Sequence, residues 1–159
     1  MTPRHALAAA AAAGVLALVT AGISAGGGTA RTLVLEVRVE KASFVGNDIA
    51  PKGHSAGDTF TFSGSVTRAG KAFGRYEDVD VAVDEKIQGV VRNAALLLPD
   101  GTLVIQGAGG NVAASGWKPS VGDAFAVVGG TGAYAGARGT VHPKDLSDSV
   151  LRLTIQLSP

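Results

Sequence analysis

The sequence contains no cysteine, and this absence limits how the chain can be stabilised. Disulfide bonds cannot hold the fold together, so stability must come from a hydrophobic core, which about 130 residues can build in one domain. Clusters of lysine and arginine are lacking as well. Nucleic acids and anionic membranes are bound through basic patches, so we expect neither as a partner.

Signatures of metal sites and of hydrolases are also missing. His54 and His142 are isolated, with no cysteine and no acidic neighbour at metal-ligand spacing, so no metal is predicted. No Gly-x-Ser-x-Gly nucleophile turn accompanies His142, which argues against a hydrolase triad.

The one long apolar run stands near the N-terminus, at residues 6–21. Arg4 and His5 precede it and the small-residue segment AGISAGGGTA follows it, which is the layout of a secretory signal peptide. The run is shorter than the roughly 20 residues that a membrane-spanning helix needs. We therefore predict a cleaved signal and a secreted protein rather than a membrane anchor.

Residues 1–25 are assigned to this signal peptide, with cleavage as late as Ala30 as the alternative, and residues 31–159 to a single domain. Arg4 is the only basic residue other than histidine before Arg31. Without it, the 14 lysines and arginines become 13, equal to the 13 aspartates and glutamates. The mature protein is thus neutral overall.

After the signal, apolar and polar residues alternate with a period of two, and no helical periodicity recurs. This pattern is typical of β-strands with one buried and one solvated face. The four clearest apolar faces are Leu33, Leu35, Val37 and Val39; Phe60 and Phe62; Val79, Val81 and Val83; and Leu151, Leu153, Ile155 and Leu157. Fainter strands are predicted at 87–98, 102–106, 123–128 and 138–142.

Turn signals separate these strands at Ala69-Gly70-Lys71 and at Pro99-Asp100-Gly101. The glycine- and serine-rich stretch 107–122, which contains Trp117, is predicted to be the longest loop. About eight short strands at even spacing favour a β-sandwich or an up-and-down barrel. Closure into a barrel would leave no edge strand exposed.

The segment from Ala124 to Val141, AFAVVGGTGAYAGARGTV, superficially matches a dinucleotide-binding turn. Such a turn needs a following helix, a crossover to a parallel strand and an acidic residue about 20 positions later. Here Gly136, Gly139 and Pro143 follow, and only one more strand remains. The favoured interpretation is that the glycines permit a tight connection between antiparallel strands.

The same residues resemble a known family. Val127 to Gly139, VVGGTGAYAGARG, is similar to the VVGGTGxFxxARG segment of plant dirigent proteins and to AVTGGSGxFxGxxG of allene oxide cyclases. Phe73-Gly74-Arg75 resembles the VGR of a dirigent middle strand, and GTLVIQG at 101–107 resembles the GTLxFxG strand. The resemblance spans 33–157 and implies a closed eight-stranded antiparallel barrel with an apolar lumen, no cofactor, and assembly as a dimer or trimer.

Family members steer reactive small molecules, which implies a cofactor-independent isomerase or cyclase, or a dirigent-like guide, for a small apolar substrate held in the lumen. The alternative is a non-catalytic secreted barrel with a ligand-binding or structural role. An enzyme should show an inward polar group with a partner, lining a cavity open to solvent. A lumen filled by Phe60, Phe62, Leu151 and Leu153 would instead favour a structural protein.

Arg138 is the first predicted catalytic residue, because it falls on the arginine of the dirigent ARG pattern, which the resemblance implies points into the lumen. A charged guanidinium in an apolar cavity needs a partner. The alternative is a structural salt bridge at the barrel mouth, and the sequence does not separate the two.

Glu77 is the second predicted catalytic residue. If Val79 and its alternate neighbours face inward, strand parity places Phe73, Arg75 and Glu77 on the same side. Glu77 would then pair with Arg138, or act as a general acid or base if burial raises its pKa. A solvated charge near a strand end is the simpler alternative.

Substrate contacts are predicted for Arg75, Tyr134, Phe60 and Phe62, although Tyr134 is expected mainly to pack beneath the turn. The plant activities use polar residues on the inward face of the first strand, and the resemblance aligns that face with apolar residues here. This departure argues against both plant reactions. It leaves an apolar pocket that could still template a cyclisation.

Overall fold

The computed structural model of the chain describes residues 30–49, 51–53, 55–83, 89–110 and 124–158. The predicted signal peptide and its cleavage site, His54 and Trp117 lie outside these residues. No helix in the described ranges is long and apolar enough to cross a membrane.

Nine β-strands and two single-turn 3₁₀ helices make up the described chain. The strands are β1 (Arg31–Val39), β2 (Val45–Asn47), β3 (Thr59–Arg68), β4 (Lys71–Ala82), β5 (Gly89–Leu98), β6 (Gly101–Gly110), β7 (Phe125–Gly130), β8 (Gly139–Ser147) and β9 (Val150–Leu157). The 3₁₀ helices are Lys41–Ser43 and Gly132–Tyr134. Strands β3 to β9 pair in chain order and β1 joins β9 to β3, so eight antiparallel strands close a barrel. The predicted all-β barrel is confirmed, and β2 is an extra strand on β3.

The barrel closes through β1, which is hydrogen-bonded on both sides. Its pairs with β9 run from Arg31 opposite Leu157 to Arg38 opposite Val150, and its pairs with β3 end at Val39 opposite Gly64. A Cβ atom on Gly64 would lie 2.6 Å from the Arg38 carbonyl oxygen. Glycine at position 64 therefore allows the close approach of β1 and β3 that completes the ring.

The core fills the barrel from several strands, as the alternation predicts for β1 and β9. Leu33, Leu35 and Val37 are completely buried on β1, and Ile155 is completely buried on β9. The wider core also contains Val39, Phe62, Val66, Tyr76, Ala94, Leu96, Leu98, Leu103, Ile105, Phe125, Val127, Tyr134, Val141, Leu151 and Leu153. The predicted apolar faces of the first and last strands are confirmed.

The predicted inward face of β4 is wrong. Val79 and Val83 are 41% and 53% exposed on the outside of the barrel. The alternate residues Tyr76, Asp78 and Asp80 are buried inside it. The aspartates can point inward because the neighbouring strand β5 supplies a buried cation, described below.

The predicted loop at 107–122 begins too early, because β6 continues to Gly110. Gly107 stays in the strand and pairs with Arg92 of β5. Residues 111–123 lie outside the described ranges. Strand pairing with β5 overrides the weak β propensity of glycine here.

Three turns lie at one end of the barrel, which we call the floor: 69–70, 99–100 and the glycine-rich segment 131–138. The Thr131 amide donates to the Thr102 carbonyl at 2.9 Å, and the Ala133 amide donates to the Asp100 carbonyl at 2.8 Å. Gly132 has φ +59°, and a Cβ there would meet the Asp100 carbonyl oxygen. Tyr134, 2% exposed, packs into the core at this end. The segment is thus a connection between antiparallel strands, as predicted, and a structural plug.

Candidate functional site

Four polar side chains lie together inside the barrel: Tyr76, Asp78 and Asp80 on β4, and Arg92 on β5. We call them the buried cluster. Each is at most 4% exposed. Alternate positions along β4 point to the same side, and the antiparallel register sets Asp80 directly opposite Arg92. A short stretch of one hairpin therefore concentrates the inward polar groups.

Arg92 joins the two aspartates of the cluster. Its Nε donates to Asp80 Oδ1 at 2.9 Å and its Nη2 donates to Asp80 Oδ2 at 2.6 Å, a bidentate pair. The same Nε lies 3.0 Å from Asp78 Oδ2. The Tyr76 hydroxyl donates to this Oδ2 at 2.6 Å. Asp80 is thereby neutralised by Arg92, whereas Asp78 shares a donor that is already engaged.

The cluster holds two carboxyl groups and one guanidinium, so it carries a charge of −1 when both aspartates are ionised. Burial, opposed by the charge of Arg92 and assisted by that of Asp80, raises the pKa of Asp78 to about 7. Burial likewise raises the pKa of Tyr76 well above its usual value, so its hydroxyl stays protonated. Asp78 can therefore gain or lose a proton near neutral pH.

The second carboxyl oxygen of Asp78, Oδ1, is buried and has no hydrogen-bond partner among the described residues. Buried polar atoms normally have a partner, and leaving one unpaired costs about 1–3 kcal/mol. A proton on Oδ1 would make it a donor directed at whatever occupies the neighbouring space. The Tyr134 hydroxyl is a second buried oxygen without such a partner among the described residues.

Two aromatic rings flank Arg92. Its guanidinium carbon lies 5.2 Å from the centre of the Phe125 ring and 5.9 Å from that of Phe62, both within range of cation–π attraction. Gly107 makes room for one of these rings, because a Cβ there would clash with Phe125 Cδ1. The glycine of β6 therefore permits the stacking of Phe125 on Arg92.

A cavity beside the cluster lies within the lumen. It is lined by Tyr76, Arg92, Ile105, Phe125, Val141, Pro143, Leu151 and Leu153. Its volume open to the centre of a water molecule is about 10 Å³, which corresponds to one water. Polar groups occupy the β4–β5 side of this cavity, and the other walls are apolar.

A larger concavity lies on the outside of the barrel, with a volume of about 440 Å³ on the same measure. We call it the outer groove, and it is lined by Ser43, Thr61, Phe62, Ser63, Glu77, Asp78, Val79, Asn93, Ala94, Ala95 and Val104. Asp78 is the member of the buried cluster that this lining includes, whereas Tyr76 and Arg92 line the lumen cavity.

Arg75 and Glu77 are brought together, but outside the barrel. Arg75 Nε donates to Glu77 Oε1 at 3.1 Å, and Arg75 Nη2 donates to Ser63 Oγ at 3.3 Å. Their side chains are 55% and 47% exposed. The predicted shared face of Arg75, Glu77 and Val79 exists, but it faces solvent rather than the lumen.

Arg138 is also exposed, and its Nη1 donates to the carbonyl of Ala137 at 2.8 Å. Its expected orientation into the lumen is wrong, and the described contacts of Glu77 lead to Arg75 instead. The catalytic roles of Arg138 and Glu77 stay predictions, without support from a lumen position. Of the other predicted residues, Tyr134 and Phe62 are buried in the core. Phe60 is half-buried and stacks on Phe44, outside the core cluster.

Sequence reasoning missed the buried cluster, although a signal for it exists. Arg92 has the same parity on β5 as Leu96 and Leu98, which are buried. An arginine on the apolar face of a strand requires a carboxylate opposite it. The turn at Pro99-Asp100 sets the register of β5 with β6, and the strand before β5 in the chain is β4. The inward orientation of Arg92 therefore predicts that its carboxylate partners lie in the Asp-x-Asp pattern of β4.

No group of three or more histidine or acidic side chains that could hold a metal occurs in the described part of the chain. The predicted first-strand face is apolar, as expected, with Leu35 and Val37 fully buried. The polar chemistry of the lumen has a different origin, in the β4–β5 hairpin.

Solved structures of low sequence identity share this fold. A pyocyanin demethylase matches 80% of the chain over 100% of its own length, with a TM-score of 0.64 and 18% identity. The pterocarpan synthase dirigent protein GePTS1 matches 80% of the chain and 86% of its own, with a TM-score of 0.58 and 17% identity. The Diels-Alderase AbmU from Streptomyces koyangensis matches 81% and 63%, with a TM-score of 0.54 and 16% identity.

No protein-family model and no curated protein matches the chain. The likeness to dirigent and cyclase barrels therefore establishes the fold, and the resemblance of the glycine-rich segment agrees with it.

Proposed function

We propose that this barrel is a cyclase or dirigent-like protein that holds a small apolar molecule in its lumen and presents the Asp78 carboxylic acid to it. The observation that carries the proposal is the buried, unpartnered Asp78 Oδ1. The other oxygen of the same carboxyl group is fixed by Tyr76 and Arg92. The folds of a dirigent protein and a Diels-Alderase support this class of reaction.

Protonated Asp78 would act by hydrogen bonding. Oδ1–H donates to an oxygen conjugated with the reacting alkene, withdraws electron density from that alkene, and keeps its proton after ring closure. The reaction is an isomerisation, so every atom of the substrate remains in the product. Tyr76 and Arg92 orient the carboxyl group, and the apolar walls fold the remaining chain into one reactive conformation.

The small lumen volume sets a requirement on this proposal. Asp78 does not line the cavity, so a substrate must displace side chains that now fill the lumen in order to reach Oδ1, and Phe125 is the large ring at the edge of the cavity. The small volume of the lumen cavity also favours the second candidate, a non-catalytic structural barrel. In that case the buried cluster serves only to fix the β4–β5 register.

Enantiomeric excess separates these candidates. The purified chain is incubated with linear substrates that cyclise slowly unaided and carry a carbonyl conjugated to the reacting alkene. We expect faster cyclisation with one enantiomer in excess, lost in Asp78→Ala and kept in the exposed control Arg75→Ala. Racemic product at the uncatalysed rate, with every substrate, supports the structural barrel.

We also propose that the protein is exported after cleavage near Ala25, because of the apolar run and the small residues that follow it. Intact-mass measurement of the form released by an expressing cell tests this. Loss of 25 to 30 residues is expected, and an uncut chain in the cell fraction would contradict it.

A further inference from the structure

Four exposed cations lie at the floor of the barrel, although the sequence contains no run of basic residues. Arg31 begins β1, Arg68 ends β3, Lys71 begins β4 and Arg138 immediately precedes β8. Strands β4, β3, β1, β9 and β8 are neighbours in this order around the barrel. Since neighbouring strands lie about 4.8 Å apart, the four cations follow an arc of roughly 20 Å, which we call the basic arc.

Aromatic rings hold two members of the basic arc in place. The guanidinium carbon of Arg31 lies 5.5 Å from the centre of the Tyr134 ring, and that of Arg68 lies 5.4 Å from the centre of the Phe73 ring. Both distances are within the range of cation–π attraction. Lys71 stands directly opposite Arg68 across the turn at 69–70. Like charges opposite each other on paired strands are destabilising, so packing does not account for this pair.

Carboxylates do not neutralise the basic arc. None of its members forms a salt bridge with a residue that the structure describes. Asp100 is the only acidic residue in the three turns of the floor, and Glu36 of β1 is engaged by Arg152 at 3.0 Å. At the opposite end of the barrel, acids and cations are interspersed, as in Glu40-Lys41. The excess of positive charge is therefore a local feature of the floor.

We propose that the floor docks on the surface of a bilayer that contains anionic phospholipids. An arc of this length spans several phosphate groups, which a flat anionic surface supplies and a single small anion does not. The tips of the floor turns carry small apolar side chains that are exposed: Ala69, Pro99, Ala133 and Ala135. These side chains can leave water for the head-group layer without burying a charge. Each basic residue close to an anionic leaflet strengthens binding about fivefold.

The position of the proposed export signal favours a bilayer over other anionic partners. The apolar run ends at residue 21 and β1 begins at Arg31, so the nine residues 22–30 separate the run from the floor. Nine extended residues span at most about 30 Å, so the floor stays near the membrane while the run is inserted in it. A nucleic acid or a soluble polyanion has no such link to this end of the barrel. This step rests on the proposed export, whereas the charge pattern of the floor does not.

Vesicle sedimentation tests the docking surface. Every described strand and the whole described core lie between residues 31 and 157, so the chain from residue 26 onwards forms the barrel without the apolar run. This form is mixed with vesicles of phosphatidylcholine alone or of phosphatidylcholine with phosphatidylglycerol. Lys71→Gln/Arg138→Gln removes the two cations of the basic arc that lie outside the aromatic contacts above. Lys41→Gln/Lys52→Gln is the control, since it removes two exposed cations at the opposite end.

We expect the native barrel to sediment with the anionic vesicles, to stay in solution with the neutral ones, and to be released by about 0.5 M salt. Lys71→Gln/Arg138→Gln should weaken binding roughly thirtyfold, and the control pair less than about threefold, because salt screens charges at the far end. Circular dichroism checks that all forms are folded.

Equal weakening by the two pairs, or equal sedimentation with neutral vesicles, overturns the basic arc as the docking surface. Failure of the native barrel to bind anionic vesicles overturns docking on a bilayer, and retention on heparin in that case identifies a polyanion as the partner. None of these results bears on the lumen chemistry, and export itself is tested separately by the intact mass of the released form.

Discussion

At the scale of single residues, Arg92 and Arg75 form a natural comparison, because both pair with a carboxylate on the same hairpin. Arg92→Met leaves Asp80 as a buried carboxylate without its cation, which typically costs about 3–5 kcal/mol. Arg75→Met breaks an exposed pair and should cost less than about 1 kcal/mol. Urea unfolding of the two variants measures the difference, and equal losses would show that the cluster is not buried as described.

Asp78 makes stability depend on pH. Its folded pKa of about 7 lies above the unfolded value of 3.8, so the folded state binds the extra proton. Its contribution to stability is present below about pH 4 and is lost as the pH rises to about 7. In Asp78→Asn this decline should be absent. Melting temperatures between pH 4 and 8 test the difference, and parallel curves for both proteins would contradict the raised pKa.

Gly107 tests the stacking of Phe125 on Arg92. Gly107→Ala places a methyl group against the Phe125 ring, which must move away, at a cost of about 1–3 kcal/mol. Gly129→Ala is the control, since its added atom meets only Arg138 Nη1 at 3.8 Å. Equal stability of the two variants in urea would mean that the ring does not lie over Gly107.

The buried residues show where single-residue prediction succeeds and fails. Leu33 and Leu35 are apolar on a face opposite charged neighbours, so their orientation follows from alternation alone. On β4 both faces contain residues that can be buried: valines on one, a tyrosine and two aspartates on the other. Only the partner strand decides between them, because Arg92 makes burial of the aspartates favourable.

At the scale of elements, the described residues of the segment before β3, 48–49, 51–53 and 55–58, are held against the barrel by Asp58. Its Oδ1 accepts from the Ile49 amide at 3.1 Å and from Ser55 Oγ at 2.9 Å, and its Oδ2 accepts from the Ser55 amide at 2.9 Å. The Asp58 carbonyl also accepts from the Ala82 amide of β4. A single buried side chain therefore organises these described residues, which form no helix or strand.

Asp58→Ala should loosen this segment, because several buried donors lose their acceptor, at about 1–3 kcal/mol in total stability. Limited proteolysis should then cut within 48–58 sooner than in the native chain. Asp48→Ala is the control, since Asp48 is exposed and accepts only from the Gly53 amide in the described contacts. Identical cleavage of both variants would argue against the anchoring role of Asp58.

Strand boundaries were less predictable than strand existence. The turns at Ala69-Gly70 and Pro99-Asp100 fall where the sequence indicates, because residues that favour turn conformations occupy them. The end of β6 does not fall where the sequence indicates, because its glycines are typical of a loop but pair with β5 in register. The short strand β2 leaves no alternating pattern, with only Val45, Gly46 and Asn47.

At the scale of the whole molecule, the two ends of the barrel domain are neighbours, because Arg31 pairs with Leu157. Antiparallel partners lie about 5 Å apart, so a few glycines can join residue 158 to residue 30. A circular permutant with new termini at Ala69 and Gly70 should fold with the same β-rich circular dichroism. New termini between Leu35 and Glu36 would interrupt β1 and should prevent cooperative folding. A permutant opened at 69–70 that stays unfolded would contradict the closed pairing.

The burial of Tyr134 has a consequence for how a bound molecule would exchange. Because Tyr134 and the turns of the floor fill one end of the barrel, a molecule bound in the lumen, as proposed above, would have to enter and leave at the opposite end.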